Sequence, residues 1–148
     1  MRKERYELGI EPDVMKFRFT SIGPKGEIPK LVIYSKMPRK NTYNLGFGDK
    51  DLETDTIDDF IVTDNKDSQK VLATVAFTVY AFTNKYPDAM VFAKGSTKAR
   101  TRLYQMGISN NLEEIMTDFV VLGRKKGIWY WFEKNVEYDA FLVTHKKM

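Results

Sequence analysis

The residues that could do chemistry concentrate in one stretch, VFAKGSTKARTRLYQMG, at positions 91–107. Backbone amides at a helix start, the positive end of the helix dipole and guanidinium groups together suit a bound phosphate. The stretch therefore predicts an anion-binding site. The predicted site contains four cationic side chains within nine residues, with no carboxylate among them, together with two hydroxyl side chains and one tyrosine. Its residues are Lys94, Lys98, Arg100, Arg102, Ser96, Thr97 and Tyr104.

A strand, a turn and a helix must position these groups. Residues 91–93 suit a buried strand, and Gly95 supplies a permissive turn. Ser96 or Thr97 can cap a helix over 97–106, which Gly107 would end. We expect Lys94, Arg100 and Arg102 to line one surface concavity. The competing interpretation pairs both arginines with acids such as Asp58 and Asp59, and places Tyr104 and the tryptophans in the core.

Other chemistries find less support. The chain has no cysteine, which excludes disulfides, thiolate ligands and a cysteine nucleophile. The single histidine, His145, lies in the tail HKKM and is expected to be solvated. A nucleophile and base at Ser96 and Lys94 would suit a metal-independent enzyme acting on phosphodiesters, although a helix cap explains the serine better. We assign no catalytic residue, no metal ligand and no cofactor, and enzymatic activity stays an open alternative that we do not favour.

An acidic stretch follows the first 40 residues. Residues 1–40 carry ten basic and five acidic side chains, whereas residues 41–67 carry two and eight. This separation can create a field with two poles. The carboxylates from Asp49 to Asp55 resemble a calcium loop only superficially, because Thr54 and Phe60 occupy its glycine and closing glutamate positions. A Mg²⁺ site would need two of Asp49, Asp58 and Asp59 to converge.

The patterning predicts an α+β fold in a single domain over residues 1–148. Apolar residues recur every fourth position in the segment 68–85, which predicts one long core helix, and two shorter helices follow at 97–106 and 110–117. Alternating and β-branched segments predict a mixed or mainly antiparallel sheet. Short strands are expected at 16–21, 28–37, 43–47, 89–93, 119–122, 128–132 and 138–144, with a further apolar element at 57–62.

Several segments resemble an uncharacterised family of small bacterial proteins, found largely among Bacteroidetes and known only as a domain of unknown function. The resemblance rests on FTSIGPKGEI, YNLGFGD, IDDFIVTDN, KVLATVAFTVYAFTNKYPDA, EYDAFLV and GSTKARTRLYQMGI, whose first ten residues are the most specific part. It covers almost the whole chain and implies a bacterial protein, but brings no activity, substrate or catalytic residue. The charged start MRKERYELGIEPD lacks a secretory signal, and no apolar run could span a bilayer, so a cytoplasmic location is expected.

Two hypotheses for binding therefore stand beside the enzyme. In the first, the anion site binds nucleic acid or another phosphate-bearing ligand, with Trp129 or Trp131 as further stacking faces. In the second, the chain is a protein-interaction partner, for instance in a toxin–antitoxin-like operon pair, or a homo-oligomer. The acidic stretch and the aromatic hairpin IWYWFEK would then form the contacts, and exposure of either tryptophan would favour this hypothesis.

Overall fold

The computed structural model describes residues 4–58 and 63–146. Over these residues the chain forms eight strands and three helices. In chain order they are β1 (Gly9–Ile10), β2 (Lys16–Gly23), β3 (Gly26–Lys36), β4 (Thr42–Asp49), α1 (Ser68–Lys85), β5 (Met90–Ala93), α2 (Lys98–Asn110), α3 (Leu112–Asp118), β6 (Phe119–Lys125), β7 (Ile128–Trp131) and β8 (Ala140–His145).

All eight strands belong to one sheet, in the order β1-β2-β3-β4-β5-β8-β6-β7. The pair β4 and β5 is parallel, joined by a crossover through α1, and the other neighbouring strands are antiparallel. The predicted α+β fold with a mixed sheet is confirmed. The last strand, β8, lies between β5 and β6, so it brings the end of β5 close to the β6–β7 hairpin.

The three helices pack on one face of the sheet. Val71, Val75 and Phe82 of α1 join a core with side chains from the middle strands, and the ring of Phe82 stacks on Tyr34 of β3 with centroids 4.1 Å apart. The helix begins and ends where the four-residue period predicts. The hydroxyls of its buried threonines donate hydrogen bonds to carbonyls of the same helix, as Thr78 does to Val75 at 2.6 Å. Their burial therefore leaves no hydroxyl donor unpaired. No helix within the described part of the chain is long and apolar enough to cross a membrane.

The second helix differs from its prediction. It continues to Asn110 rather than ending at Met106, and Gly107 lies inside it. A Cβ at Gly107 would stand 3.5 Å from the side chain of Leu72, so the glycine lies at the contact between α1 and α2 and is not a C-cap. Packing against α1 supports the extra turn. Asp67 occupies the N-cap position of α1, but its carboxylate caps no amide and instead accepts hydrogen bonds from Tyr6 and Ser21.

The acidic segment, defined as residues 50–58, connects to the opposite face of the sheet. Ile57 bridges to Lys50 and lies against Gly46 and Gly48 of β4. Asp55 forms ion pairs with Lys16 and Arg18 of β2. The segment is therefore attached to the sheet by the ion pairs of Asp55 and by the apolar contact of Ile57. The predicted apolar element at 57–62 lies largely outside the described residues, as does Asp59.

Candidate functional site

A groove of about 630 Å³ lies where the start of α2 faces the β6–β7 turn and the entrance to β8. We call it the cationic groove. Five of its lining side chains are cationic, two are acidic and four carry neutral polar groups. They are Lys94, Lys98, Arg102, Lys125 and Lys126; Glu137 and Asp139; and Ser96, Thr97, Thr101 and Gln105.

The turn before α2 positions the first of these residues. Thr97 is the N-cap, and its hydroxyl accepts a hydrogen bond from the Arg100 amide at 3.2 Å. The Thr101 hydroxyl accepts another from the Gly95 amide at 3.0 Å. A Cβ on Gly95 would come within 2.3 Å of the Thr101 backbone nitrogen, so only glycine fits here. Of the two predicted caps, Thr97 is the one that caps the helix. The close packing of Gly95 on Thr101 holds the end of β5 against α2.

The opposite wall is held by Gln105. Its side-chain amide donates to the Val136 carbonyl, and its oxygen accepts from the Tyr138 amide at 3.3 Å. These bonds attach residues 136–138 to the middle of α2. Close packing of Gly123 against the Tyr138 ring, where a Cβ would stand 2.5 Å away, joins the same wall to β6. Hydrogen bonds and close packing therefore hold both walls of the groove to helix α2 and strand β6.

The positive charge of the groove is not neutralised from within. Across residues 4–58 and 63–146, none of the five groove cations forms an ion pair. Of the two acids, Asp139 already pairs with Arg124, whose Nε lies 2.8 Å from the carboxylate oxygen. Five cations thus face one remaining carboxylate, Glu137. Such a surface attracts anions, and a bound anion would relieve the repulsion among the cations.

Two predicted site residues lie elsewhere. Arg100 lines a separate groove with Leu103 and Met106, and its Nη2 donates to the Asp58 carbonyl at 2.9 Å. The expectation that Lys94, Arg100 and Arg102 share one concavity is therefore wrong for Arg100. Arg100 therefore joins the basic helix to the acidic segment.

Tyr104 faces the interior. Its ring packs against the core, its hydroxyl lies 3.3 Å from the Leu45 carbonyl oxygen, and burial raises its pKa to about 12. A base could not stack on this ring without displacing core side chains, which is the physical reason to remove Tyr104 from the predicted site.

Lys125 and Lys126 are the groove cations that sequence reasoning missed. In the sequence GRKKG, Lys125 ends β6, and Lys126 and Gly127 form the two-residue hairpin turn with positive φ, 53° and 77°. The cluster of charge in the turn was a visible signal. Its position beside α2 was not, because that depends on β8 entering the sheet between β5 and β6.

An aromatic edge strand begins directly after this turn. All four residues of β7 are exposed, and β7 is the last strand of the sheet. Trp129 and Trp131 pair with Arg124 and Leu122, which places both indoles on the face away from the helices. Trp131 is 71% exposed and Trp129 is 37% exposed.

Arg124 joins this strand to the neighbouring surface. Its guanidinium carbon lies 5.7 Å from the ring centres of both Phe92 and Trp129, and those two rings meet edge to face with centroids 6.2 Å apart. We call Phe92, Trp129 and Trp131 the aromatic platform. It lies on the other face of the sheet from the cationic groove, and the β6–β7 turn and Lys94, two residues after Phe92, connect the two.

The remaining candidates have structural partners. Asp49, a candidate for Mg²⁺, is buried and pairs with buried Lys30. Within the ranges the structure describes, no three His, Cys, Asp or Glu side chains form a group that could hold a metal ion. His145 is not a solvated tail residue, since it lies in β8 and its ring stacks on Phe119 with centroids 4.4 Å apart.

The chain belongs to a family of unknown function, DUF6934, whose model matches residues 2–146. Neither the curated proteins nor the solved structures include a match to the chain. The family relationship agrees with the resemblance seen in the sequence, and it assigns no ligand or reaction to the groove.

Proposed function

We propose that this member of a family without known activity binds phosphate-bearing ligands or nucleic acid through the cationic groove. The observation that carries the proposal is the convergence of five cations from three parts of the chain, none of which forms an ion pair with another described residue. They come from the end of β5, from α2 and from the β6–β7 turn. Cations that separate elements hold close together repel one another, and this repulsion lowers the stability of the fold unless an anion binds.

The chemistry of the groove suits phosphate better than a carboxylate ligand. Thr97 caps α2 at the groove, so the positive end of the helix dipole adds to the charge of Lys98 and Arg102. Several separate cations along a groove fit a ligand that carries repeated charges, and Lys125 and Lys126 extend the row beyond the helix. We infer a location in the bacterial cytoplasm from the family resemblance, and we assign the protein binding rather than catalysis.

Retention on heparin tests the proposal. The variant Lys98→Ala/Arg102→Ala/Lys125→Ala removes three groove cations. A matched control, Lys36→Ala/Lys40→Ala/Lys85→Ala, removes the same charge from exposed lysines at the opposite end of the sheet. We expect the groove variant to elute at clearly lower salt than the control, because only the groove concentrates the cations on one ligand. Elution of both variants at the same salt concentration would show that heparin binds to general surface charge and not to the groove.

The exposed strand β7 favours a second candidate, a protein-interaction surface. An unpaired edge strand presents backbone donors and acceptors to which another chain can add, and its exposed aromatic side chains are typical of interface cores. A second copy or an operon partner would cover it. A mass that rises with concentration, measured by light scattering and lost on Trp131→Ala, would support this candidate.

A further inference from the structure

We infer that the ligand is a single-stranded nucleic acid, whose phosphates lie in the cationic groove while its bases stack on the aromatic platform. This inference rests on the proposed function and narrows it to one ligand class. Non-specific binders of single strands combine a positive groove along the backbone with aromatic side chains on which successive bases stack. Both parts are present here, on the two faces of the sheet: the groove lies on the helix face and the platform on the other, and the β6–β7 turn lies where the two faces meet.

The β6–β7 hairpin connects the two parts, so a flexible strand that binds both must pass around its turn from one face of the sheet to the other. Lys125 and Lys126 end the groove, and β7 begins two residues later with Trp129 and Trp131 on one face. From Lys126 to Trp131 the strand advances roughly 16 Å at the usual rise per residue. A short oligonucleotide of about ten nucleotides is therefore long enough to reach both parts, within the site sizes common for such proteins.

The platform offers surfaces of the right kind. Trp131 exposes 71% of its area, so a flat aromatic face is available without any rearrangement of the core. Trp129 stands next to Arg124, whose guanidinium lies 5.7 Å from its ring centre, so a stacking face and a cation adjoin each other. Bases of a single strand are free to stack on such faces, whereas those of a duplex are already stacked and paired.

The charge of the site favours a nucleic acid over a protein strand as its ligand. A protein segment added to β7 would cover the indoles but would leave the groove cations unpaired unless it carried a row of acids. A nucleic acid satisfies both surfaces at once, because every nucleotide supplies one phosphate and one base. The uncompensated charge beside the platform therefore favours nucleic acid, and a protein partner becomes an outcome of the test.

The two tryptophans make the test direct. They are the only tryptophans in the chain, and both lie on the platform, so intrinsic tryptophan fluorescence reports on it alone. Three probes are titrated into the full chain: a thymidine oligonucleotide of about 12 nucleotides, an abasic oligonucleotide of the same length, and inorganic polyphosphate. We expect the thymidine oligonucleotide to quench the fluorescence and to bind about tenfold more tightly than the abasic one.

Variants separate the two parts of the site. Trp131→Ala should weaken the thymidine oligonucleotide about tenfold without changing the affinity for polyphosphate, and Trp131→Phe should retain most of the binding. The groove variant Lys98→Ala/Arg102→Ala/Lys125→Ala should weaken all three probes. Because Trp131 is mostly exposed, its replacement leaves the core intact, which circular dichroism can verify.

Failure of the inference and failure of the proposed function give different results. Equal affinity for the thymidine and abasic probes, with no quenching and with the groove variant still weaker, would overturn the inference and keep the anion site. Absence of binding to every probe would overturn both. Unquenched tryptophans together with self-association that Trp131→Ala abolishes would assign the platform to a protein partner and would also overturn the inference.

Discussion

Cations on the two sides of helix α2 have opposite surroundings. Around the acidic segment, basic side chains have partners: Lys30 pairs with Asp49, and Lys16 and Arg18 share Asp55. In the cationic groove, Lys98 and Arg102 have no ion pair among the described residues. Helix α2 lies between the two regions, and its Arg100 points to the acidic segment while Arg102 points to the groove. A basic sequence can therefore be structural on one side of a helix and available to a ligand on the other.

The difference lies in what neutralises the charge. Lys30 is 2% exposed, and its ammonium donates to Asp49 and, at 3.1 Å, to the Thr63 carbonyl, so that cation is part of the folded core. The groove cations are mostly exposed and are hydrated until an anion replaces the water. We expect substitutions in the first region to change stability, and those in the second to change binding.

The largest effect should follow from breaking the buried pair. Asp49→Ala leaves the Lys30 ammonium buried without its carboxylate, and the Thr63 amide loses its acceptor, so the free energy of unfolding should fall by about 3–5 kcal/mol. Urea denaturation measures this loss. The double variant Lys30→Met/Asp49→Leu should recover most of it, since no charge stays buried. A loss below about 1 kcal/mol for Asp49→Ala would show that the two regions do not differ in this way.

A smaller effect is expected at Tyr104, which faces the interior. Burial raises the pKa of its phenol to about 12, above the ordinary value near 10. A group with a raised pKa stabilises the fold below its unfolded pKa, and that contribution is lost as the pH rises from about 10 to about 12. Denaturation at about pH 8 and about pH 11 should therefore show a steeper alkaline loss for the native chain than for Tyr104→Phe. Ionisation of Tyr104 near pH 10, followed by absorbance, would mean that solvent and ligands reach the ring.

The sequence predicts the fold well where periodicity is local. The bounds of α1 follow from apolar residues four apart, and the hairpins follow from alternation and turn residues such as Lys126 and Gly127. The strand order does not follow, because the pairing of β8 with both β5 and β6 joins distant segments through packing. Lys125 and Lys126 were missed for that reason.

The errors at Arg100 and Gly107 have different causes. Successive residues of a helix are 100° apart, so Arg100 and Arg102 are separated by about 200° and could not both face one groove. Helical geometry alone would have removed Arg100 from the predicted site. Gly107 looks like a helix end in the sequence, whereas it is a contact with Leu72 of α1, which only the packing of the two helices reveals.

The salt dependence of oligonucleotide binding in Arg102→Ala and Arg100→Ala tests the central claim most directly. These variants change the same charge two residues apart on one helix. Each cation that contacts a phosphate of a single strand contributes about 0.7 to the slope of log K against log salt. We predict a slope about 0.7 shallower for Arg102→Ala and an unchanged slope for Arg100→Ala. Equal slopes in the two variants would contradict the assignment of the groove as the binding site.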